Sequence, residues 1–160
     1  MTPSSRGSAL TETPFFVLDM PLDPVAKGRP RVGKGGRIYT PAATREYEDA
    51  IGLQTRVLMA PRRATKRPVI VRMQFVISWP RSWNGARRLN ARHVTRPDVD
   101  NLAKALLDGI CGPSFAIHDD KQVVELTACK IYGGQGSIAV DVWEVTDDAQ
   151  LLASRWRDWK

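Results

Sequence analysis

Val69, Val71, Met73, Phe75, Ile77 and Trp79 alternate without a break, with Arg72, Gln74 and Ser78 among the residues between them. A period of two sustained from 69 to 79 predicts a long β-strand with one buried face. The short apolar run at 15–20 predicts another strand, stopped by Pro21 and Pro24. Thr40-Pro41 has the form of a helix start, with threonine as N-cap and proline in the first turn. Tyr47, Ala50, Ile51, Val57 and Leu58 then fall near one helical face, and Pro61 ends the run. A second helix is predicted over 98–110, where Leu102, Ala105, Leu106 and Ile110 stand near helical spacing ahead of Gly112-Pro113. Two more strands follow at 123–132 and 137–145, and Gly133-Gly134-Gln135-Gly136 between them predicts a hairpin. A last short helix over 149–159 offers Leu152, Trp156 and Trp159 for packing. The order β-α-β-α-β-β-α contains no repeat. It predicts an α/β (α+β) chain in which helices pack on a mixed sheet of about four strands.

The chain is 160 residues long, 42% hydrophobic and 26% charged. That is enough to bury a core as one domain without staples, and it excludes collagen-like, coiled-coil and wholly disordered classes. Residues 1–13, rich in Ser, Thr and Pro, read as a loose tail, 14–146 as the folded domain and 147–160 as a helical tail. No apolar run approaches the roughly 20 residues needed to cross a bilayer, and the N-terminus leads into no apolar stretch of a secretory signal. Cys111 and Cys129 are too few for a disulfide framework and fit a reducing cytosol, so the expected location is cytoplasmic.

Charge sharpens the picture. The net charge is +7, but residues 1–97 hold 18 basic and 6 acidic side chains, whereas 98–160 hold 6 basic and 11 acidic. Between Asp49 and Asp98 there is no acid, and that interval includes Arg56, Arg62, Arg63, Lys66, Arg67, Arg72, Arg81, Arg87, Arg88, Arg92 and Arg96. A solvated surface ordinarily mixes its signs, so this segregation points to a polyanionic partner, nucleic acid above all. Two stretches carry the charge as loops: 27–37, with four glycines and a possible closure at Gly35-Gly36, and 80–96.

Candidate chemistry lies at Arg96-Pro97-Asp98-Val99-Asp100-Asn101-Leu102-Ala103-Lys104. Within a helix, residues two apart project on opposite faces, but in an extended stretch they share one. Pro97 biases the residue before it toward extended backbone and places 98–99 at the helix start, so Asp98 and Asp100 can converge. Two nearby carboxylates are costly unless a cation lies between them, and Mg²⁺ or Mn²⁺ wants oxygen ligands of this kind. Asp119-Asp120, ahead of the strand at 123, can supply a third acid. Metal-assisted phosphodiester hydrolysis, with Lys104 offsetting charge, is the chemistry such a set serves. The same residues also admit plain structural roles. Asp98 would then be an N-cap, Asp100 and Lys104 a surface pair, and Asp119-Asp120 a turn. Asp-x-Asp-Asn also opens calcium loops, but the twelfth position is Gly109.

The run Asp98-Val99-Asp100-Asn101-Leu102-x-Lys104, followed by Ile117-His118-Asp119-Asp120-x-Gln122-Val123, resembles the RusA family of Holliday junction resolvases. Lys27-Gly28-Arg29-Pro30-Arg31 and Tyr39-Thr40-Pro41-x-x-Thr44-x-x-Tyr47-Glu48 are similar to that family's N-terminal half, so the likeness runs from about residue 15 to 145. It implies a RusA-like fold and a homodimeric, Mg²⁺-dependent endonuclease that cuts four-way DNA junctions in recombination and repair, of a kind frequent in phages and prophages. Mn²⁺ is the expected substitute ion. Carried over by position, Asp98, Asp100 and Asp120 would be catalytic metal ligands and Lys104 the catalytic lysine, with Asp119 a further candidate ligand and Asp108 an outer group. The basic residues Lys27, Arg29, Arg31, Lys34, Arg37, Arg81, Arg87, Arg88, Arg92 and Arg96 would hold DNA phosphates, giving salt-dependent binding with little sequence information. The stretch at 80–96 and the tail after 145 depart from the family pattern and bear on substrate preference.

Among other residues, His93 reads as a phosphate contact or plain surface, His118 as structural, and both cysteines as small core residues. Trp79 continues a buried strand face, whereas Trp83 is either packed or free to stack on an unpaired base. Two rivals stand beside the resolvase reading. One is a non-catalytic nucleic-acid-binding module with structural carboxylates, and the other is a nuclease of flaps or forks.

Overall fold

The structure is a computed structural model that describes residues 13–85, 88 and 94–145. The helix expected over 149–159, most of the N-terminal tail, and Arg87, Arg92 and His93 lie outside the described residues. The elements run β1 (Phe16–Met20), β2 (Arg31–Val32), β3 (Ile38–Tyr39), α1 (Ala42–Met59), β4 (Val69–Ser78) and α2 (Val99–Ile110). A 3₁₀ turn (Asp120–Gln122), β5 (Val123–Gly133) and β6 (Ser137–Glu144) complete them.

Four strands form a mixed sheet in the order β1-β6-β4-β5. β1 and β4 are both antiparallel to β6, and β4 is parallel to β5. A parallel pair needs a long crossover, and α2 provides it. The hairpin expected between the last two strands does not form, because β4 lies between β5 and β6. The glycine run turns the chain but crosses the end of β4, where the Trp79 N–H donates to the Gly133 carbonyl at 2.9 Å. The crossing is tight: a Cβ at Gly133 would collide with Val76, and one at Gly136 with Asp23. Glycine here signals close backbone passage rather than a pairing turn.

The long alternating strand is β4, and Val69, Val71, Met73 and Phe75 supply its core face. They pack with Phe16, Leu18, Ile138, Val140 and Val142 of the neighbouring strands beneath Leu102, Leu106 and Ile110 of α2 and Tyr47, Ile51 and Met59 of α1. Each fully buried aliphatic side chain of this kind contributes about 2 kcal/mol. The buried line of α1 is Thr44, Tyr47, Ile51, Thr55 and Met59, whereas Val57 and Leu58 are exposed, against expectation. The reason is the close approach of α2: a Cβ on Gly109 would stand 2.7 Å from Ile51. That contact turns the 47-51-55-59 line inward. Pro41 rather than Thr40 occupies the cap of α1, and no side chain caps it. Among the described residues no helix is long and apolar enough to cross a membrane.

Candidate active site

Asp98 is the N-cap residue of α2 with extended backbone (φ −75°, ψ 141°), and its carbonyl accepts the Leu102 N–H at 3.1 Å. Its carboxylate, however, makes no capping bond. Asp100 lies in the first turn, exposed like Asp98. Among the described residues neither carboxylate has a hydrogen-bond or ion-pair partner. Lys104, one turn further, points its ammonium at Asp108 Oδ1, 3.9 Å away, so it forms no pair with Asp100. Two of the bland roles open to these acids in the sequence, cap and surface pair, are therefore not taken up.

The head of α2 is anchored from several sides. Lys130 on β5 donates to the carbonyls of Thr95 and Pro97, both at 2.7 Å, and so fixes the backbone that leads into Asp98. On the other flank the Lys27 N–H donates to the Asn101 carbonyl at 2.9 Å, and the Gly28 N–H donates to Thr44 Oγ1 at 3.1 Å. Glycine is required at 28, because a Cβ would stand 2.8 Å from Pro41 Cγ and 2.9 Å from Thr44 Oγ1. Between the 26–29 segment and the helix head opens a cavity of about 620 Å³ lined by Ala26, Arg29, Arg96, Pro97, Asp98 and Asn101. Two guanidiniums thus flank a carboxylate at the positive end of a helix, a setting that favours anions and a bridging cation together.

The basic residues divide into two groups. Lys27 is paired with two acids: its ammonium lies 2.5 Å from Glu48 Oε1 on α1 and 2.6 Å from Asp108 Oδ2 on α2. Burial pulls its pKa down, but bonds to Asp108 and Glu48 outweigh that and hold it above the ordinary lysine value. Arg29, Arg31, Lys34 and Arg37 are exposed, the last three on or beside the β2–β3 hairpin, which turns through Gly35 and Gly36 at φ 82° and 76°. Arg81 and Arg96 are also exposed, while Arg88 lies over the Trp79 ring at 5.2 Å. Trp83 packs against Tyr132, ring centroids 4.8 Å apart.

The adjacent acids at 119 and 120 have opposite fates. Asp119 caps the 3₁₀ turn in a capping box with Gln122, accepts the Lys121 N–H at 3.0 Å and pairs with the Lys121 ammonium at 3.1 Å. The backbone and side-chain bonds of Lys121 hold its carboxyl below the usual carboxylate range. Gln122 in turn donates to the carbonyls of Thr65 and Arg67, tying the turn to the start of β4. Asp120 is exposed and, among the described residues, unpartnered. Burial, then the charges of Asp120, Asp108 and Asp119, push the Cys111 thiol up to about 12, so it stays protonated at neutral pH. Ile117, three residues before Asp120, bridges to Cys111 at the C-terminal end of α2, whose 12 residues span about 18 Å.

A hard divalent ion commonly takes one or two carboxylates together with substrate phosphates and water. Asp98 and Asp100 fit that donor set at the head of α2. Among the described residues no three His, Cys, Asp or Glu side chains stand together so as to hold a metal ion, Asp98, Asp100 and Asp120 included. The sequence did not reveal the Glu48–Lys27–Asp108 bridge or the Lys130 anchor. Both join residues more than 20 positions apart, and no local signal marks either.

The chain is similar over 134 residues, at 27% identity, to the uncharacterized protein YqaN of Bacillus subtilis (strain 168), an alignment covering 78% of this chain and 92% of the relative. Residues 21–143 match the family described as endodeoxyribonuclease RusA, a span that holds the helix head, both acidic pairs and the basic hairpin. The chain belongs to the RusA family of endodeoxyribonucleases, which act on Holliday junctions.

Proposed function

We propose that this protein is a Mg²⁺-dependent endonuclease that resolves four-way DNA junctions as a homodimer, in recombination and repair. The observation that carries the reading is the unpartnered pair Asp98 and Asp100 at a helix head, where Asp98 lines a cleft together with Arg29 and Arg96. Carboxylates left without a structural partner beside arginines suit a cation and a phosphate arriving together. Asp98 and Asp100 would hold the ion, with Mn²⁺ as a substitute. Asp120 does not stand with Asp98 and Asp100 in one metal-holding group, and it is proposed as a third acid of the site on its family position and its lack of a structural partner alone. When bound, such an ion lowers the pKa of a coordinated water and offsets charge on the phosphate. Lys104, one turn from Asp100 and largely exposed, supplies a positive charge toward the departing oxygen. Arg29 and Arg96 hold the phosphates on either side, and the β2–β3 hairpin extends that basic rim. A four-way junction has approximate two-fold symmetry, so a C2 dimer offers matched sites for paired nicks.

Incubation with Mg²⁺ tests the reading: a four-way junction should be nicked in symmetry-related strands far faster than linear duplex of the same sequence. Equal rates, or faster cutting of flaps and forks, would overturn the junction assignment. Light scattering should return the mass of two chains. Mn²⁺ should raise the melting midpoint of the parent and not of Asp100→Asn, since a ligand bound only to the folded state stabilises it. Asp120→Asn decides the third ligand: a loss matching that of Asp100→Asn supports it, and full activity removes it.

A further inference from the structure

A second cavity, of about 480 Å³, opens beyond the C-terminal ends of α1 and α2, where Arg56, Arg62 and Arg63 meet Pro61, Pro113 and Ser114. It shares no residue with the cleft at Asp98, and the length of α2, about 18 Å, separates them. Among the described residues no acid lines it, and none of its three arginines has a carboxylate partner. Two guanidiniums are oriented by other means. Arg62 donates to the Phe15 carbonyl at 2.7 Å and lies 5.3 Å from the centre of the Phe15 ring, and Arg56 lies 5.6 Å from that of Phe115. Aromatic faces and carbonyls steer a guanidinium without cancelling its charge, so three like charges are gathered around one hollow. The repulsion among them is relieved when an anion enters, and planar guanidiniums match phosphate oxygens in pairs.

We propose that this cavity is a second phosphate-binding site, which holds the backbone of a DNA arm about 18 Å from the cleft while the scissile phosphate is at Asp98 and Asp100. The proposal rests on the nuclease reading and adds to it a contact made for binding rather than for chemistry. At 3.4 Å of rise per nucleotide on one strand, the separation corresponds to about five phosphates, far enough to reach an arm rather than the cut.

The test uses the full chain with Arg56→Gln and Arg63→Gln together, leaving Arg62 to hold β1. Binding to a four-way junction and to linear duplex is measured over a range of salt, without added divalent ion so that no cleavage is needed. The logarithmic salt slope should fall by about two for the double variant, with the affinity for both DNAs reduced by a similar factor. Single-turnover cutting at saturating junction should be unchanged. Arg56→Lys with Arg63→Lys, which keeps the charge, should restore the slope, whereas a purely structural role would not be rescued. An unchanged slope in a double variant that binds and cuts would overturn the proposal and leave the nuclease reading intact. A parent that binds no DNA would overturn both. If inorganic phosphate raises the parent midpoint but the slope is unmoved, the cavity takes small anions only, and the DNA-arm assignment falls.

Discussion

The two ends of α2 carry acids of the same type that are handled differently, exposed at the head and half-buried at Asp108 and Asp119. At the head, Asp98 sits in a capping position without capping, and Asp100 leaves Lys104 to Asp108. At the tail, Asp108 is clamped by Lys27, and Asp119 is spent on a capping box and on Lys121. An acid that folding uses is recognised by its partners. One that folding leaves alone, beside arginines and in a cleft, is available for a ligand. Asp120, next in sequence to Asp119, is likewise without a partner among the described residues.

The largest expected effect separates the two ends. Asp100→Asn should lower junction cutting by about a thousandfold, consistent with the several kcal/mol an ion contributes to a phosphoryl transition state. Its unfolding midpoint should be unchanged and its junction binding kept or tightened, since a negative group is removed near phosphate. A fall in binding equal to that in rate would assign Asp100 to DNA affinity instead. Lys27→Met should do the reverse. Leaving Glu48 and Asp108 facing each other should cost about 2–3 kcal/mol in urea unfolding, with cutting at low temperature little altered. If Lys27→Met instead cost only DNA affinity and no stability, the ammonium would be a phosphate contact after all.

Asp119→Ala is expected to lower the melting midpoint slightly, less than Lys27→Met, and to leave cutting intact. Loss of cutting there would erase the distinction between the two adjacent acids. The smallest effect is in pH. Lys27 is held above its ordinary value of 10.5, so the stability it contributes is complete below pH 10.5 and is lost as pH rises through the higher folded value. The parent should therefore lose stability above pH 10.5 more steeply than Lys27→Met. Parallel curves would show that the triad makes no net contribution.

Much of this was legible from local pattern. Period two from Val69 gave β4 its place, and α2 starts within a residue of where Pro97 and Asp98 put it. The Gly35-Gly36 turn closes the β2–β3 hairpin. What was not legible depends on neighbours remote in the chain. Gly133 to Gly136 look like a hairpin turn because a glycine run reports only that backbone can bend, not which strand lies beneath it. Val57 and Leu58 looked buried because helical spacing fixes a stripe only to within a residue, and Gly109 of α2 chose the other edge. Lys27 stands in a basic run, and only the fold shows that Glu48 and Asp108 lie against it. At the candidate site, residue types marked Asp98 and Asp100. Their freedom from partners, on which the functional reading turns, is a property of three dimensions.

The strand order β1-β6-β4-β5 has a further consequence. β1 and β4 come from the strongly basic half of the chain and β5 and β6 from the acidic one, so every neighbouring pair in the sheet joins one half to the other. Neither half can close a sheet by itself, and a chain cut in the segment between β4 and α2 would yield two fragments that become ordered only on meeting. Their opposite net charges would draw them together, which makes that segment a natural place to divide the protein into a reassembling pair.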